Sequence, residues 1–281
     1  MRDKFPTCSR SLPVHDSFKQ QTFSKLGAVK ARAMLEPALK CLWTCATAVG
    51  TRKLGWLVSR ISTYSDTAFY FEGVEGVVAL TIDDGLARGG VETSLVSEVL
   101  SLLERHDARC TFFVCSKYLA SLGADRVVAA GHEFGNHMEE DKFGYSKLMP
   151  DEFERALKES NDVIEAESGA TVRWFRAPQG VLTSSMRRAI VRLKLRHAIG
   201  DAYCDDWAVS DADWVARTLL RQAKAGSIVI LHMPERGHRE HTLEALTMVL
   251  QGLSDRGLKC VTLTEIEAKA KGAREIPVEV L

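Results

Sequence analysis

From residue 77 onward, the chain alternates short apolar, β-prone runs with segments of helical period. The strand-like runs cover residues 77–82, 109–114, 132–136, 173–176, 196–200, 227–231 and 258–263. Helical segments lie between most of these runs, and the segment at 151–167 has a predicted buried face of Phe153, Leu157, Ser160 and Ile164. Strand followed by helix, repeated about seven times, predicts an α/β fold with a parallel sheet wound into a barrel or a doubly wound layer.

Polar clusters follow five of the predicted strands. They are Asp83-Asp84, Asn136-His137 with Asp141, Arg176-Ala177-Pro178, Asp205-Asp206-Trp207 and Leu231-His232. In a parallel α/β barrel the carboxyl ends of the strands form one rim, where catalytic groups sit. Each cluster alone also has a structural interpretation, such as a capping Asp, a core His or a surface ion pair. Their common placement favours one shared site.

Three of these residues are candidate metal ligands. Asp84, His137 and Asp141 offer the carboxylate and imidazole groups that zinc takes in catalytic sites. His137 and Asp141 are four residues apart, which is also the spacing of an ordinary surface pair, so the interpretation depends on Asp84. Glu140 is a competing ligand.

The remaining polar residues supply acid and base groups for hydrolysis of an amide. Asp83, next to the metal ligands, is a candidate general base, and Arg176 is a candidate partner that keeps Asp83 ionised. His232 is a candidate proton donor to a leaving amine, with its pKa tuned by Asp206. The set predicts metal-assisted hydrolysis.

Composition excludes several other classes. The 281 residues are 46% hydrophobic and 26% charged, which is ordinary for a globular protein with one large α/β domain. The formal net charge is zero, so no overall field favours nucleic acid. The seven cysteines show no C-x-x-C spacing, which predicts neither a disulfide framework nor a zinc ribbon.

The beginning of the chain differs in charge from the rest. Residues 1–60 hold eleven Lys and Arg against three Asp and Glu, which is typical of a transit peptide and equally of a solvated basic extension. We therefore divide the chain into an N-terminal extension over 1–70, with a helix expected within 38–59, and a catalytic domain over 71–281.

Arg52 and Lys53 interrupt the apolar stretch within 38–59, so no transmembrane span is predicted. No secretory signal is visible, which favours an intracellular or organellar location, and the sequence predicts no oligomeric state.

In this order, the clusters resemble the five motifs of the polysaccharide deacetylase family, also called the NodB-homology domain or carbohydrate esterase family 4. The matching segments, within about residues 72–268, are Thr81-Ile82-Asp83-Asp84-Gly85, Gly131 to His137, Arg176-Ala177-Pro178-Gln179-Gly180, Asp206-Trp207 and Leu231-His232. The resemblance implies a distorted (β/α) barrel with about seven strands. It also implies that Asp83 is the base, that Asp84 and His137 bind metal, that Arg176 contacts the base and that His232 is the acid.

The chain departs from the family pattern at several positions. A second His usually stands where this chain has Asp141, which leaves the metal and the choice between Asp141 and Glu140 open. Gln179 replaces an aromatic residue at a position whose backbone N–H contributes an oxyanion contact in the family, and Tyr203 replaces an Asp. The loop from Met233 to Gly237 is expected to narrow or charge the cleft. Substrate contacts are expected at Trp207, Gln179 and Leu231.

The resemblance implies a hydrolase that uses a divalent ion, zinc in the first instance, to remove N-acetyl groups from an N-acetylated carbohydrate. One alternative is another carbon–nitrogen amide hydrolase on the same scaffold. The other is a carbohydrate-binding protein that has lost its activity. Asp83, Arg176 and His232 argue against the second alternative, because pure binding needs neither a base nor an acid.

Overall fold

The structure, a computed structural model, describes residues 35–119 and 123–275. In this part of the chain there are seven strands: β1 (Val77–Gly85), β2 (Thr111–Val114), β3 (Glu133–Asn136), β4 (Trp174–Phe175), β5 (Arg196–His197), β6 (Ile228–His232) and β7 (Lys259–Val261). The α-helices are α1 (35–49), α2 (Thr51–Ser59), α3 (Val96–Arg105), α4 (Ala124–Ala129), α5 (Pro150–Ser168), α6 (Ser184–Arg192), α7 (Ala212–Gln222), α8 (His241–Ser254) and α9 (Leu263–Glu275). Each predicted strand has a counterpart in the structure.

All strand pairs are parallel, and the sheet curls towards closure. The strand order is β5-β4-β3-β2-β1-β6, and β7 pairs with the first three residues of β1. Beyond β5, Ala202 forms a parallel bridge with Val229 of β6, which brings the two edges of the sheet together. A Cβ atom at Gly200 would lie 2.7 Å from the carbonyl oxygen of Ile228, so glycine is needed for this approach. The predicted distorted barrel is confirmed.

Strand β1 explains how a carboxylate reaches the inside of the barrel. All of its residues are buried. Val78, Leu80 and Ile82 pack in the large core cluster shared with the helices, whereas Val77 and Ala79 pack in a second cluster with Phe113 and Trp174. Because successive side chains of a strand alternate between faces, Asp83 continues the second, inner face.

Helix α5 shows how local sequence sets the boundaries of an element. Pro150 occupies the first helical position, where its missing N–H costs nothing. The Glu152 carboxylate accepts a hydrogen bond from the Met149 backbone N–H at 3.0 Å, and the helix ends before Gly169, whose φ is 65°. All four residues of the predicted stripe are buried.

The N-terminal helical segment is divided in two. A single helix was expected within 38–59, but α1 and α2 are separated at Gly50, whose φ of 100° does not fit a helix. No helix in the described ranges is both long enough and apolar enough to cross a bilayer. Residues 1–34 of the predicted extension lie outside the described residues.

The described part of the extension packs against the barrel. The Trp43 indole Nε1 donates to Asp205 Oδ2 at 2.7 Å, and Arg52 Nε donates to Asp201 Oδ2 at 2.7 Å. The backbone of Ala68 pairs with the segment that follows β5. A boundary at residue 70 therefore crosses several tertiary interactions.

His197, the last residue of β5, is buried as a neutral ring. Its Nε2 accepts a hydrogen bond from the Ala177 backbone N–H at 3.3 Å, and its Nδ1 lies 2.9 Å from Thr67 Oγ1, so the ring hydrogen is on Nδ1. Burial, together with Arg176 and His137, lowers the pKa of His197 to about 3 from the ordinary value of 6.5.

This shift predicts a specific dependence of stability on pH. Between the two pKa values the unfolded chain binds a proton that the folded chain excludes, so folding stability falls as the pH falls below 6.5. When the pH is lowered from about 7 to about 5, the buried His197 ring is expected to lower the free energy of unfolding by about 2 kcal/mol. The Gln side chain in His197→Gln does not titrate in this pH range. In urea unfolding, the free energy of unfolding of this variant should therefore depend less steeply on pH. Equal slopes for the two proteins would contradict the assignment, because all other histidines are shared.

Candidate active site

Arg176, which follows β4, fixes the carboxylate of Asp83 inside the barrel. Arg176 Nη1 lies 2.5 Å from Asp83 Oδ1 and 2.9 Å from Thr81 Oγ1. The other guanidinium N–H groups donate to the carbonyl oxygens of Ala198 at 3.1 Å and Ile199 at 2.7 Å. Both side chains are buried, and the ion pair holds the carboxylate of Asp83 in one orientation.

The three predicted metal ligands converge. The donor atoms of Asp84, His137 and Asp141 all lie within 4.8 Å of one another. His137 Nε2 is 3.7 Å from Asp84 Oδ1 and 3.8 Å from Asp141 Oδ1. His137 Nδ1 donates to the carbonyl oxygen of Arg176 at 2.8 Å, which leaves a lone pair on Nε2 facing the two carboxylates.

A buried oxygen without a partner tests whether this set fits a cation. Asp84 Oδ1 is buried and has no hydrogen-bond partner among the described residues. Such an oxygen is costly unless a ligand satisfies it. One imidazole and two carboxylates are suitable donors for a divalent metal ion, so the residues fit such an ion.

Glu140 is placed elsewhere. Its carboxylate accepts hydrogen bonds from Lys117, from Tyr118 at 3.1 Å and from Lys142 at 3.2 Å. The hydrogen bonds from Lys117, Lys142 and Tyr118 lower the pKa of Glu140 to about 2. Of the two candidates, the structure brings Asp141 to the ligand cluster.

His232, at the end of β6, is held by Asp206. His232 Nδ1 lies 2.8 Å from Asp206 Oδ1, and its backbone N–H donates to Oδ2 at 2.8 Å. Burial alone would lower the pKa of His232, but Asp206, followed by Asp84 and Asp83, outweighs it and the pKa is raised. His232 is the register partner of Asp83 on the neighbouring strand, so the candidate acid and base stand side by side.

A cleft of about 540 Å³ opens onto these groups. Trp207 lines it and is 43% exposed, and its contact with substrate stays a prediction. Gln179 also lines the cleft, but its side-chain Nε2 donates to both oxygens of Asp141 at 2.8 and 2.9 Å, so it braces a ligand.

Leu231 is a correction to the expected substrate contacts. It is 1% exposed and packs in the core cluster shared with the helices. Ile230 and His232 line the cleft, and because side chains alternate along β6, Leu231 must face the other way.

Left-handed backbone conformations concentrate at this site. Among the described residues, seven non-glycine residues have positive φ, and five of them belong to the site or flank it: Asp84, Met138, Gln179, Asp205 and Arg239. Such conformations are unfavourable for residues with a Cβ and persist where surrounding contacts enforce them.

Two arginines were missed by sequence reasoning. Arg88 Nη2 lies 2.7 Å and Arg239 Nη1 2.9 Å from Asp84 Oδ2. Burial raises the pKa of Asp84, but His232, His137, Arg239 and Arg88 outweigh it, so the net pKa lies well below the ordinary range. The segment from Met233 to Gly237 was expected to narrow or charge the cleft, but Arg239, which reaches Asp84, lies beyond that segment. The aromatic ring of Phe143, which lines the cleft and is 83% exposed, was also missed.

Comparison with known proteins agrees with this arrangement. The sequence model of the family described as polysaccharide deacetylase matches residues 72–198. A family 4 acetyl xylan esterase from Clostridium thermocellum, solved with a cobalt ion, is 30% identical; the alignment covers 68% of this chain and 90% of that one, with a TM-score of 0.60. The chain belongs to the polysaccharide deacetylase family. The predicted family and the class of enzyme, a deacetylase-type hydrolase, are therefore confirmed.

Two further relatives show the range of this family. The chitooligosaccharide deacetylase of Rhizobium leguminosarum bv. phaseoli is 27% identical to this chain over 215 residues. The alignment covers 72% of this chain and 89% of the relative. A mutant of a CE4 family pseudoenzyme from Bacillus anthracis, with restored enzymatic activity, is 26% identical with a TM-score of 0.62 over 70% of each chain. The fold therefore occurs with and without activity, and the site residues must decide the function.

The ligand assignment predicts how metal content responds to substitution. Asp141→Ala removes one donor and is expected to weaken binding of Zn²⁺ at least about tenfold. Glu140→Ala, which removes the neighbouring carboxylate, should leave binding unchanged. Elemental analysis after dialysis against limiting Zn²⁺ measures both. The opposite pattern, in which the Glu140 variant loses metal and the Asp141 variant keeps it, would reject Asp141 as a ligand.

Proposed function

We propose that this deacetylase hydrolyses the N-acetyl group of an N-acetylated carbohydrate with the help of a divalent metal ion, zinc in the first instance. One observation supports the proposal above all others. Asp83, paired with Arg176, lines the same cleft as three convergent candidate metal ligands and a histidine whose raised pKa suits it to donate a proton. Binding alone would require neither the base nor the acid.

Asp84, His137 and Asp141 would hold the ion. When bound, a divalent cation supplies a Lewis acid that lowers the pKa of water to roughly 7 and polarises a carbonyl group. Asp83 accepts the proton of the attacking water on its carboxylate, which Arg176 holds in position.

His232 completes the proton transfers. Its Nδ1–H is engaged by Asp206, so Nε2 is the atom that donates a proton to the nitrogen as the carbon–nitrogen bond breaks. The products are a free amine and acetic acid, which releases its proton to solvent as acetate. The proton on Asp83 then leaves to solvent and His232 regains one, which restores the starting state.

Two features support a carbohydrate rather than a small amide. The cleft, at about 540 Å³, is large enough for a sugar ring, and Phe143 and Trp207 offer aromatic surface in its lining. Relatives named chitooligosaccharide deacetylase and peptidoglycan-N-acetylglucosamine deacetylase point to the same substrate class. Acetate release from N-acetylglucosamine oligomers tests the proposal, with acetylated xylan and simple acetamides as competing substrates. Turnover of acetamides alone would favour the small-amide alternative.

Loss of the base is expected to abolish turnover without loss of metal. Asp83→Asn keeps the shape of the side chain but cannot accept the proton, so acetate release should fall at least about a hundredfold. Bound metal, measured by elemental analysis, should be unchanged. Asp66→Asn, which alters a surface carboxylate paired with Arg187, is the control. If the Asp83 variant keeps near-normal turnover, Asp83 is not the base.

The exposed ring of Phe143 is expected to contribute to binding of longer substrates. Phe143→Ala should raise KM for N-acetylglucosamine oligomers by about three- to tenfold, the value of one aromatic contact, with little change in kcat. Steady-state kinetics provides the measurement. Val191→Ala removes exposed apolar surface from α6 and serves as control. An unchanged KM would place the substrate on another part of the cleft.

A further inference from the structure

Two loops each direct a guanidinium at the same oxygen of a metal ligand. Arg88, in the loop after β1, reaches Asp84 Oδ2 at 2.7 Å and Asp141 Oδ2 at 3.3 Å. Arg239, just before α8, reaches Asp84 Oδ2 at 2.9 Å and is buried. With Oδ2 fully engaged, only Oδ1 of Asp84 remains to face His137.

The buried carboxylate of Glu235 connects the loop after β6 to the loop after β1 by hydrogen bonds. Glu235 is 3% exposed and accepts hydrogen bonds from the backbone N–H of Arg88 at 2.9 Å, the backbone N–H of Gly89 at 3.0 Å and the Thr93 hydroxyl at 3.0 Å. The Arg236 backbone N–H also donates to the carbonyl oxygen of Thr93 at 2.8 Å. The backbone of Arg88 is therefore anchored to the loop that leads to Arg239.

The charges at the floor of the cleft are matched. Asp83 is neutralised by Arg176, as described above. The carboxylates of Asp84 and Asp141 face two further guanidinium groups, those of Arg88 and Arg239. A divalent cation that enters this ligand set meets carboxylates whose negative charge is already offset. In a water-exposed cleft, one such neighbouring positive charge changes binding of a divalent ion by on the order of tenfold.

We propose that Arg88 and Arg239 are positioning residues that restrict Asp84 to binding through Oδ1 alone and keep the affinity for a divalent ion below that of the bare ligand set. This inference rests on the proposed metal-dependent function. Arg88 is the better residue to test, because it contacts both ligand carboxylates and because Arg239 would continue to hold Asp84 in its absence.

The test measures metal binding rather than activity. The full chain is stripped with a chelator and titrated with Zn²⁺ against a chromophoric competitor. Arg88→Gln removes the charge and is expected to lower Kd about tenfold. Arg88→Lys keeps the charge and should bind within about threefold of the parent. Arg192→Gln, which removes one exposed arginine from α6, controls for net charge and should also match the parent.

The outcomes separate the inference from the proposed function. Tighter binding by Arg88→Gln alone supports the inference. Equal or weaker binding by Arg88→Gln, with normal binding by the parent, overturns the inference and leaves the proposed function standing. No binding by either protein overturns both. Should Arg88→Gln unfold at a lower temperature than the parent, Arg88→Met, which retains an apolar stem in the same place, is measured instead with the same criteria.

Discussion

The buried ion pair between Arg176 and Asp83 is the interaction on which the arrangement of the site depends. Two buried charges are tolerated only when geometry is good and the remaining donors are satisfied. Arg176 meets this condition through Thr81, Ala198 and Ile199, which ties β1 to the segment that follows β5. Its own carbonyl oxygen fixes the ring hydrogen of His137. One residue thus orients the candidate base, Asp83, and the candidate imidazole ligand, His137.

The candidate acid and base stand next to each other because of strand register rather than loop conformation. Asp83 and His232 are paired residues of β1 and β6 at the carboxyl ends of the two strands. Asp206 reaches the same place from beyond β5 and secures His232 by two hydrogen bonds, one to its backbone and one to its ring. The sheet therefore carries the candidate proton-transfer groups and Asp84, while the loops carry His137, Asp141 and the aromatic residues that line the cleft.

The parts of the fold and site that follow from strand periodicity could be predicted from the sequence, whereas the parts that depend on tertiary contacts could not. Alternating apolar runs end at Asp83, His137 and His232, so periodicity alone indicated the strands and the rim. Leu231 was misplaced because its neighbour in sequence was a site residue, although the two must face opposite sides of β6. Arg88 escaped notice because it lies in a loop without period, where tertiary contacts alone decide the direction of a side chain.

The N-terminal boundary at residue 70 stays a prediction, although side-chain hydrogen bonds cross it. Charge composition separated residues 1–70 from the rest, but it does not encode tertiary packing. The match to the family begins at residue 72, yet Trp43 donates a hydrogen bond to Asp205, the residue before the one that secures His232. Asp205 has a φ of 53° and also accepts hydrogen bonds from Tyr203 and Trp207. A protein trimmed at residue 72, where the family match begins, would lose this indole, so the hydrogen bonding of Asp205 depends on residues outside that match.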